Sequence, residues 1–233
     1  MFQWRTHTLT TLICTLTPMV AAADEEISPL NGKDLSNWTT KEPTSRSHWK
    51  IGTASLNPQD EQQVVARSGG NHLINTAGRG VDIYTLQKFS DVRIELEVMV
   101  PKGSNSGIYV MGEYEVQVFD SFGKEKLNGG DMGAIYGAAP PRTNAQTQPG
   151  IWNKYVIEFR APRFDNTGKR TEKARFTKVE LNGKTLHENV EMDGPTPSGV
   201  TGRESAAGGP LMLQGDHGPV AFRNITIQVL KRL

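Results

Sequence analysis

Strict alternation of apolar and polar side chains across residues 92–100 constrains the fold of this chain more than any other feature. The apolar positions of this run are Val92, Ile94, Leu96, Val98 and Val100. The positions between them are Arg93, Glu95, Glu97 and Met99, and Pro101 ends the run. A period of two residues is typical of a β-strand that buries one face. After residue 24 no segment shows the sustained 3.6-residue period of a helix, so we expect an all-β fold.

Short strand-like runs separated by turn residues continue along the rest of the chain. The runs at residues 176–181 and 185–190 flank Asn182-Gly183, a dipeptide that predicts a β-hairpin. Further runs lie at residues 49–52, 63–66, 72–75, 82–85, 108–111, 114–119, 154–160, 210–214 and 222–230. Turns at intervals of roughly 8–12 residues, without an internal repeat or a linker, predict a single β-sandwich.

Residues 1–23 have the composition of a secretory signal peptide. Arg5 gives a positive start, residues 9–20 form a moderately apolar run, and the alanines at residues 21–23 resemble a cleavage site. The apolar run is too short to span a bilayer as a permanent helix. We therefore expect export to a periplasm or to the extracellular space. The mature domain would comprise residues 24–233 and would lack the chain's single cysteine, Cys14.

Charge and motif content exclude several classes of function. The chain has 26 Lys and Arg residues against 25 Asp and Glu residues, so its charge points neither to a nucleic acid nor to an anionic membrane. Without cysteine, the mature domain has neither a disulfide nor a thiol nucleophile. Metal-binding pairs such as His-x-x-x-His are absent from the sequence, as are nucleophile-elbow, phosphate-loop and dinucleotide motifs.

A glycine-rich turn at residues 103–107 and the strand-like run after it carry an unusual set of polar residues. Alternation places Glu113, Glu115 and Gln117 on one face of the run at residues 114–119 and its flanks. A one-residue bulge after Gln117 would add Asp120 to that face, and Asn105 in the turn could aim its amide into the same groove. The alternative is that these groups only keep an exposed strand soluble.

Two other segments are expected to contribute to this groove. His217 lies between glycines in Gly-Asp-His-Gly at residues 215–218, a tight turn that would present its imidazole, although it could simply bond to its own turn. The small-residue segment at residues 133–141 predicts close approach of backbone to the groove. His187, beside the Asn182-Gly183 turn, is expected to be solvated.

Carboxylates are the remaining catalytic candidates, and their spacing points to sugar chemistry. Glu115-x-Gln117-x-x-Asp120 resembles the Glu-x-Asp-x-x-Glu strand of laminarinase-type glucanases, with Gln in the middle and a shorter distal acid. Both changes argue against an ordinary pair of glycosidase carboxylates. A laminarinase-type endo-glucanase and a non-catalytic carbohydrate-binding module both remain open as alternatives.

Several separated motifs together resemble the 3-keto-disaccharide hydrolase domain family, also described as 3-keto-glucoside-1,2-lyase/3-keto-2-hydroxy-glucal hydratase. They occupy residues 105–121, 133–137, 149–153, 159–164 and 209–225, and the likeness extends from about residue 30 to residue 229. The resemblance implies a concanavalin A-like jelly-roll sandwich and a carbohydrate substrate oxidised at C3. Elimination across C1–C2, followed by addition of water, would then amount to hydrolysis.

Within the chemistry that the resemblance implies, we assign roles to individual residues as a hypothesis. Glu115 would be the base or a metal-holding carboxylate, His217 its acid/base partner, and Asp120 a further catalytic or binding group. The expected substrate-binding residues are Asn105, Gln117 and Gln214 for hydroxyls, Tyr109 and Tyr136 for the sugar ring, and Arg223 for enolate charge. The alternatives are that Tyr109 is a core aromatic and that Arg223 is only a surface charge. The sequence neither requires nor excludes a divalent cation that would polarise the ketone.

Overall fold

The computed structural model describes residues 26–231, and the predicted signal peptide at residues 1–23 lies outside this range. The strands are β1 (Glu26–Ile27), β2 (Trp38–Thr40), β3 (Trp49–Asn57), β4 (Asp60–Asn75), β5 (Ile83–Phe89), β6 (Val92–Met99), β7 (Asn105–Val110), β8 (Tyr114–Phe119), β9 (Trp152–Arg160), β10 (Arg163–Phe164), β11 (Arg170–Glu172), β12 (Arg175–Leu181), β13 (Lys184–Glu191), β14 (Gly209–Leu213) and β15 (Val220–Val229). The helical content of the described residues is one short 3-10 helix, Thr44–Arg46.

Two antiparallel sheets pack face to face. The larger sheet has eight strands in the order β13-β12-β9-β6-β15-β4-β3, with β1 paired to β15. The smaller sheet has five strands in the order β2-β5-β14-β7-β8, and β10 and β11 form a separate ribbon. Several neighbouring strands in the small sheet are far apart in sequence, because β14 is inserted between β5 and β7. This topology confirms the predicted jelly-roll β-sandwich.

The alternation at residues 92–100 is the core pattern of β6. Its apolar members are at most 2% exposed and contact the small sheet, while Glu95 and Glu97 point away from the core. Met99 departs from the prediction, because it is buried on the outer side of the large sheet in a second cluster with Ile74 and Ala221. The outer face of the large sheet, which the sequence predicts to be polar, therefore contains a small apolar cluster.

Each predicted strand run overlaps an observed strand, and several of the observed strands are longer. The hairpin around Asn182-Gly183 is confirmed as β12 and β13. The runs at residues 63–66 and 72–75 belong to one 16-residue strand, β4, whose pairing with β3 shifts register between Gly52 and Thr53. Across residues 26–231, no helix has the length and apolar character needed to cross a bilayer.

Candidate active site

Strands β7 and β8 form the floor of the candidate site. Their register places Tyr109 opposite Glu115 and Gly107 opposite Gln117, so these four residues share one face of the small sheet. The alternate residues point the other way, as with fully buried Ile108 in the sandwich core. The face that carries the Glu115 carboxylate and the Gln117 amide is therefore the outer face of the small sheet.

Pairing between β7 and β8 is regular, so the predicted bulge after Gln117 is wrong. Six successive residue pairs end at Asn105 opposite Phe119 without a shift in register. Phe119 therefore occupies the next position on the face of Glu115, and Asp120 does not reach that face through a bulge. Regular pairing is maintained because β8 has bonded neighbours on both edges.

Gly107 opens the space that the Glu115 carboxyl group occupies. A Cβ atom at position 107 would lie 2.4 Å from Oε1 of Glu115 and 2.8 Å from the ring of Tyr109. Gln117 is the direct partner of Gly107, and Glu115 is its diagonal neighbour on the same face, a position within reach of long side chains. The missing side chain at Gly107 thus lets Glu115 lie across the floor of the site.

The small-residue segment after residue 132 pairs with the outer edge of β8, which brings its backbone close to the groove as expected. Gln117 N donates to Ala134 O (2.8 Å), and Gly133 N donates to Gln117 O (2.9 Å). Tyr136 N donates to Glu115 O (3.1 Å). These bonds fix the backbone of both polar residues and place the half-exposed ring of Tyr136 beside them.

His187 supports this segment from below, contrary to the expectation that it is solvated. Its side chain is 2% exposed, and Nε2 lies 2.8 Å from Gly133 O. Burial lowers the pKa of His187, which favours the neutral imidazole. The hairpin position suggested exposure, but the segment at residues 133–139 covers that face of β13.

The turn after β14 carries the imidazole. Gln214 N donates to Gly107 O (3.0 Å), which places Gln214 beside the gap at Gly107. The amide nitrogen of Asn75 then donates to Gly215 O and to Gly218 O, both at 2.9 Å. His217 lies between these two anchored glycines. Its Nδ1 is 2.5 Å from Oδ1 of Asp216, so the adjacent carboxylate orients the ring.

These elements enclose a cavity of about 140 Å³. Seven of the nine predicted site residues line it, namely Asn105, Tyr109, Glu115, Gln117, Tyr136, Gln214 and His217. Pro197 and Ser198, from the loop before β14, complete the wall. We call this cavity the Glu115 pocket.

Asp120 and Arg223 do not line the Glu115 pocket. Asp120 accepts hydrogen bonds from Gly103 N (2.9 Å) and from Gln146 Nε2 (3.1 Å), which tie the end of β8 to the turn before β7 and to the loop before β9. Arg223 lies on the large sheet, pairs with Glu97 at 2.6 Å and covers the ring of Trp152 at 4.2 Å. Both side chains have structural partners in these positions.

Glu115 is the most perturbed acid of the pocket. It is 4% exposed, and desolvation raises its pKa to about 7. Asp82 and Asp216 raise the pKa further, whereas Tyr109 and His217 lower it. Burial is the largest of these effects, so Glu115 exchanges a proton near neutral pH.

The hydroxyl of Tyr109 has two acceptors within reach. It lies 3.2 Å from Pro197 O and faces the Glu115 carboxyl group, whose ionised form it stabilises. Burial and the neighbouring Glu115 charge raise the pKa of Tyr109, so the hydroxyl keeps its proton. Since a hydroxyl has one proton, Tyr109 donates to the carboxylate only when it releases Pro197.

Asp82 is a site-forming residue that the sequence prediction missed. It is 6% exposed and accepts from Gly215 N (3.0 Å), next to the His217 turn. Lys41 Nζ lies 3.8 Å from the same carboxyl group and donates to Ser198 O (2.7 Å). Asp82 and Lys41 thus connect two walls of the pocket. The position of Asp216 next to His217 in the sequence could have marked it as a site residue, but nothing in the sequence marked Asp82.

Free amide groups surround the acid. The side-chain oxygen of Asn105 is buried and has no hydrogen-bond partner among residues 26–231. The amide oxygen of Gln117 accepts from Val118 N (3.2 Å), which leaves its NH₂ group available. Buried polar atoms are normally paired, so the pocket is suited to a ligand rich in hydroxyl groups. The described residues include no group of three or more His, Cys, Asp or Glu placed to hold a metal ion.

The family of the chain, together with this pocket, indicates a carbohydrate-active protein. The chain belongs to the 3-keto-alpha-glucoside-1,2-lyase-like domain family, whose model matches residues 25–228. This confirms the family resemblance seen in the sequence. A comparison with curated proteins finds no match.

Solved structures from Parabacteroides distasonis share the fold. One, described as a "putative glycosyl hydrolase", is 29% identical with a TM-score of 0.66, covering 88% of this chain and 84% of the other. A second of the same description is 19% identical with a TM-score of 0.58, covering 88% and 94%. A third is 19% identical with a TM-score of 0.56, covering 89% and 100%.

Proposed function

We propose that this protein is an exported enzyme that cleaves 3-keto-glycosides by elimination across C1–C2 and hydrates the resulting 2-hydroxy-3-keto-glucal. The observation that carries the proposal is the buried Glu115 carboxyl group, with a pKa of about 7, at the floor of a small pocket lined with amides. Family membership supports this reaction class, and the pocket offers residues for each proton transfer.

Glu115 is the base of the first step. A ketone at C3 acidifies the C2 hydrogen, because the carbanion left behind is delocalised as an enolate. A base works best when its pKa lies near the working pH, and desolvation brings Glu115 into that range. Glu115 takes the C2 proton, and the electron pair of that bond forms the C1–C2 double bond as the bond from C1 to the leaving oxygen breaks.

His217 supplies the proton that the leaving oxygen needs. It lines the same pocket as Glu115, and its contact with Asp216 holds the ring so that Nε2 can act as the acid. The leaving group departs as an alcohol. In the second step a water adds its hydroxyl to C1 and a proton returns to C2, so the two steps consume one water overall.

The amides of Asn105, Gln117 and Gln214 hold the sugar hydroxyls, and their NH₂ groups donate toward the enolate oxygen as charge develops. The half-exposed ring of Tyr136 packs against the sugar face at the pocket mouth. No role is assigned to Asp120 or Arg223, whose side chains contact other parts of the chain.

The test is turnover of a 3-keto-disaccharide and of its unoxidised parent, followed by enone absorbance and free sugar. We expect cleavage of the keto compound alone, and Glu115→Gln to lower kcat by at least about 100-fold with little change in sugar binding, as expected for loss of a general base. Glu188→Gln, an exposed position on β13, is the matched control.

Two outcomes would overturn the proposed reaction, and a third would overturn only the role of Glu115. Cleavage of the unoxidised parent alone would indicate a laminarinase-type glucanase. Sugar binding without turnover in the unmutated protein would indicate a carbohydrate-binding module. Full activity of Glu115→Gln would leave the reaction standing and remove Glu115 from it.

A further inference from the structure

Glu113 is the member of the predicted polar face that the Glu115 pocket leaves without a role. The sequence places it on the same face as Glu115 and Gln117. In the structure it is the last residue of the turn between β7 and β8, and it does not line the pocket. Its side chain is only 3% exposed. A carboxyl group with so little exposure needs hydrogen-bond donors to offset the loss of water.

The loop before β14 supplies these donors. Oε1 of Glu113 accepts from Thr201 N (2.7 Å) and from the Thr201 hydroxyl (2.8 Å), and Gly202 N donates to Oε2 (2.9 Å). Hydrogen bonds to an ionised acceptor are stronger than those between neutral groups. We call residues 196–202 the cover loop. The Glu113 carboxylate holds the second end of this loop beside the start of β8.

The first end of the cover loop is fixed at the same place. Thr196 N donates to Glu113 O (2.7 Å). The Thr196 hydroxyl accepts from Glu115 N (3.1 Å), so it contacts the backbone of the candidate base itself. Residues 197–199 therefore form a bridge between two ends that are both bonded to the turn and to the start of β8.

This bridge is the part of the loop that forms a wall of the Glu115 pocket. Pro197 and Ser198 both line the pocket. Ser198 has a φ of 67°, in the left-handed region that a residue with a side chain rarely adopts. Such a conformation persists only where the surrounding contacts hold it in place. Tyr109 and Lys41 each donate to a carbonyl group of the bridge, and the two bonded ends complete its support.

Gly199 gives the Glu113 carboxylate its access to the cover loop. A Cβ atom at position 199 would overlap Oε2 of Glu113 and would lie 2.9 Å from Gly112 O. The backbone at Gly199 is outside the left-handed region, so alanine introduces no strain of its own there. Alanine at this position therefore forces the bridge away from the turn and leaves the Glu113 charge in place.

We propose that Glu113 is a positioning residue, which holds the cover loop over Glu115 and so keeps water away from the carboxyl group that acts as the base. Its importance for catalysis rests on the proposed function, whereas its effect on the exposure of Glu115 rests on the contacts of the loop alone. Burial is the largest cause of the raised pKa of Glu115. Loosening the cover loop should therefore lower that pKa toward its ordinary value.

Two variants loosen the loop by different routes. In Glu113→Gln an NH₂ group replaces one acceptor oxygen and faces the donors of the loop. In Gly199→Ala the added Cβ displaces the bridge, and the charge of Glu113 is kept. Gly194→Ala is the control, because a Cβ there meets nothing within 4 Å. All three variants retain the other titratable and charged groups that surround Glu115 and its cover, namely Lys41, Asp82, Tyr109, Tyr136, Asp216 and His217.

Direct titration of Glu115 tests the proposal without turnover. The NMR signal of the Glu115 side-chain carboxyl carbon, identified by its loss in Glu115→Gln, is followed from acidic to alkaline pH. We expect a midpoint at about 7 in the unmutated protein and in Gly194→Ala. The midpoint should be lower by at least about 1 pH unit in Glu113→Gln and in Gly199→Ala.

An unchanged midpoint in either folded variant overturns the positioning role. This includes a fall in Glu113→Gln alone, because such a fall would come from the lost charge and not from the loop. If Glu113→Gln does not fold, the midpoint in Gly199→Ala decides the question.

The pH profile of kcat/KM for a 3-keto-glucoside gives the catalytic test. We expect the acidic limb to move to lower pH in both variants by the same amount as the NMR midpoint, a change that a loss of stability alone would not produce. If the midpoint falls but the unmutated protein shows no turnover, the proposed function fails and the effect of Glu113 on Glu115 stands. If turnover occurs and the acidic limb stays in place in both variants, the positioning role fails and the proposed function stands.

Discussion

Replacing Gly107 with alanine should damage catalysis far more than folding. The backbone at Gly107 is outside the left-handed region, so alanine introduces no strain there. The added Cβ would lie 2.4 Å from Oε1 of Glu115, where ordinary contacts begin at 3.4 Å. The carboxyl oxygen must therefore move by about 1 Å, a misplacement that can cost about 100-fold in rate.

The cost to stability is small because the crowded atom is the end of a flexible side chain. Glu115 can rotate toward the pocket, although the ring of Tyr109, 2.8 Å from the new Cβ, must also adjust. Overpacking of this kind typically costs about 1–3 kcal/mol. At the lower end, this corresponds to a fall in Tm of about 2–4 °C for a domain of this size.

The assay compares Gly107→Ala with Gly129→Ala, an open position where a Cβ meets nothing within 4 Å. We expect kcat for a 3-keto-glucoside to fall about 100-fold in Gly107→Ala and to stay unchanged in Gly129→Ala. Thermal unfolding of both variants gives the stability reference. Wild-type kcat in a folded Gly107→Ala protein would refute the assignment of Glu115 as the base.

Two further predictions concern the ionisable groups. The native pKa of Glu115, about 7, exceeds its unfolded value, so ionisation destabilises the fold as pH rises from about 4.5 to 7, by about 3 kcal/mol in total. Glu115→Gln should therefore raise Tm at pH 8 but not at pH 4.5. An equal change in Tm at both pH values would contradict the raised pKa. In the unmutated enzyme, the acidic limb of kcat/KM should have its midpoint near pH 7. Asp216→Asn should lower kcat by about 10-fold or more with little change in KM, because His217 loses the group that orients its ring. Asp193→Asn, at an exposed site, is its control, and equal kcat in both variants would remove the orienting role.

Much of the fold could be predicted because local pattern and burial agree in the strands. The alternation in β6 corresponds to the buried and exposed faces of that strand, and Asn182-Gly183 forms the turn between β12 and β13. The order of the strands could not be predicted from local pattern, because β14 pairs with β5 and β7, two strands that are far from it in sequence. The same distance hid the burial of His187, which depends on a segment more than 40 residues earlier in the chain.

Candidate residues within the strong motifs could be found from the sequence, but their neighbours could not. Glu115, Gln117 and His217 line one pocket as the motifs suggest. Asp120 was expected there through a bulge, yet the hydrogen bonds from residues 133–136 hold β8 in regular pairing. Arg223 belongs to a motif that spans β14 and β15, and these two strands lie in different sheets. Asp120 and Arg223 were thus predicted to line the pocket because they are close in sequence to residues that do line it.

The chemistry assigned to Glu115 depends on water being excluded from a carboxyl group at the outer face of a sheet. Strand pairing alone would leave that face exposed, so the burial comes from its covering segments, which carry Tyr136 on one side and Pro197 and Ser198 on the other. The second segment is held by Lys41 through Ser198 O, and Lys41 lies beside Asp82, whose burial and neighbouring Asp216 raise its own pKa. Protonation of Asp82 would weaken its attraction for Lys41. The charge on Asp82 therefore bears on the segment that covers Glu115, and that cover is what keeps water from the carboxyl group.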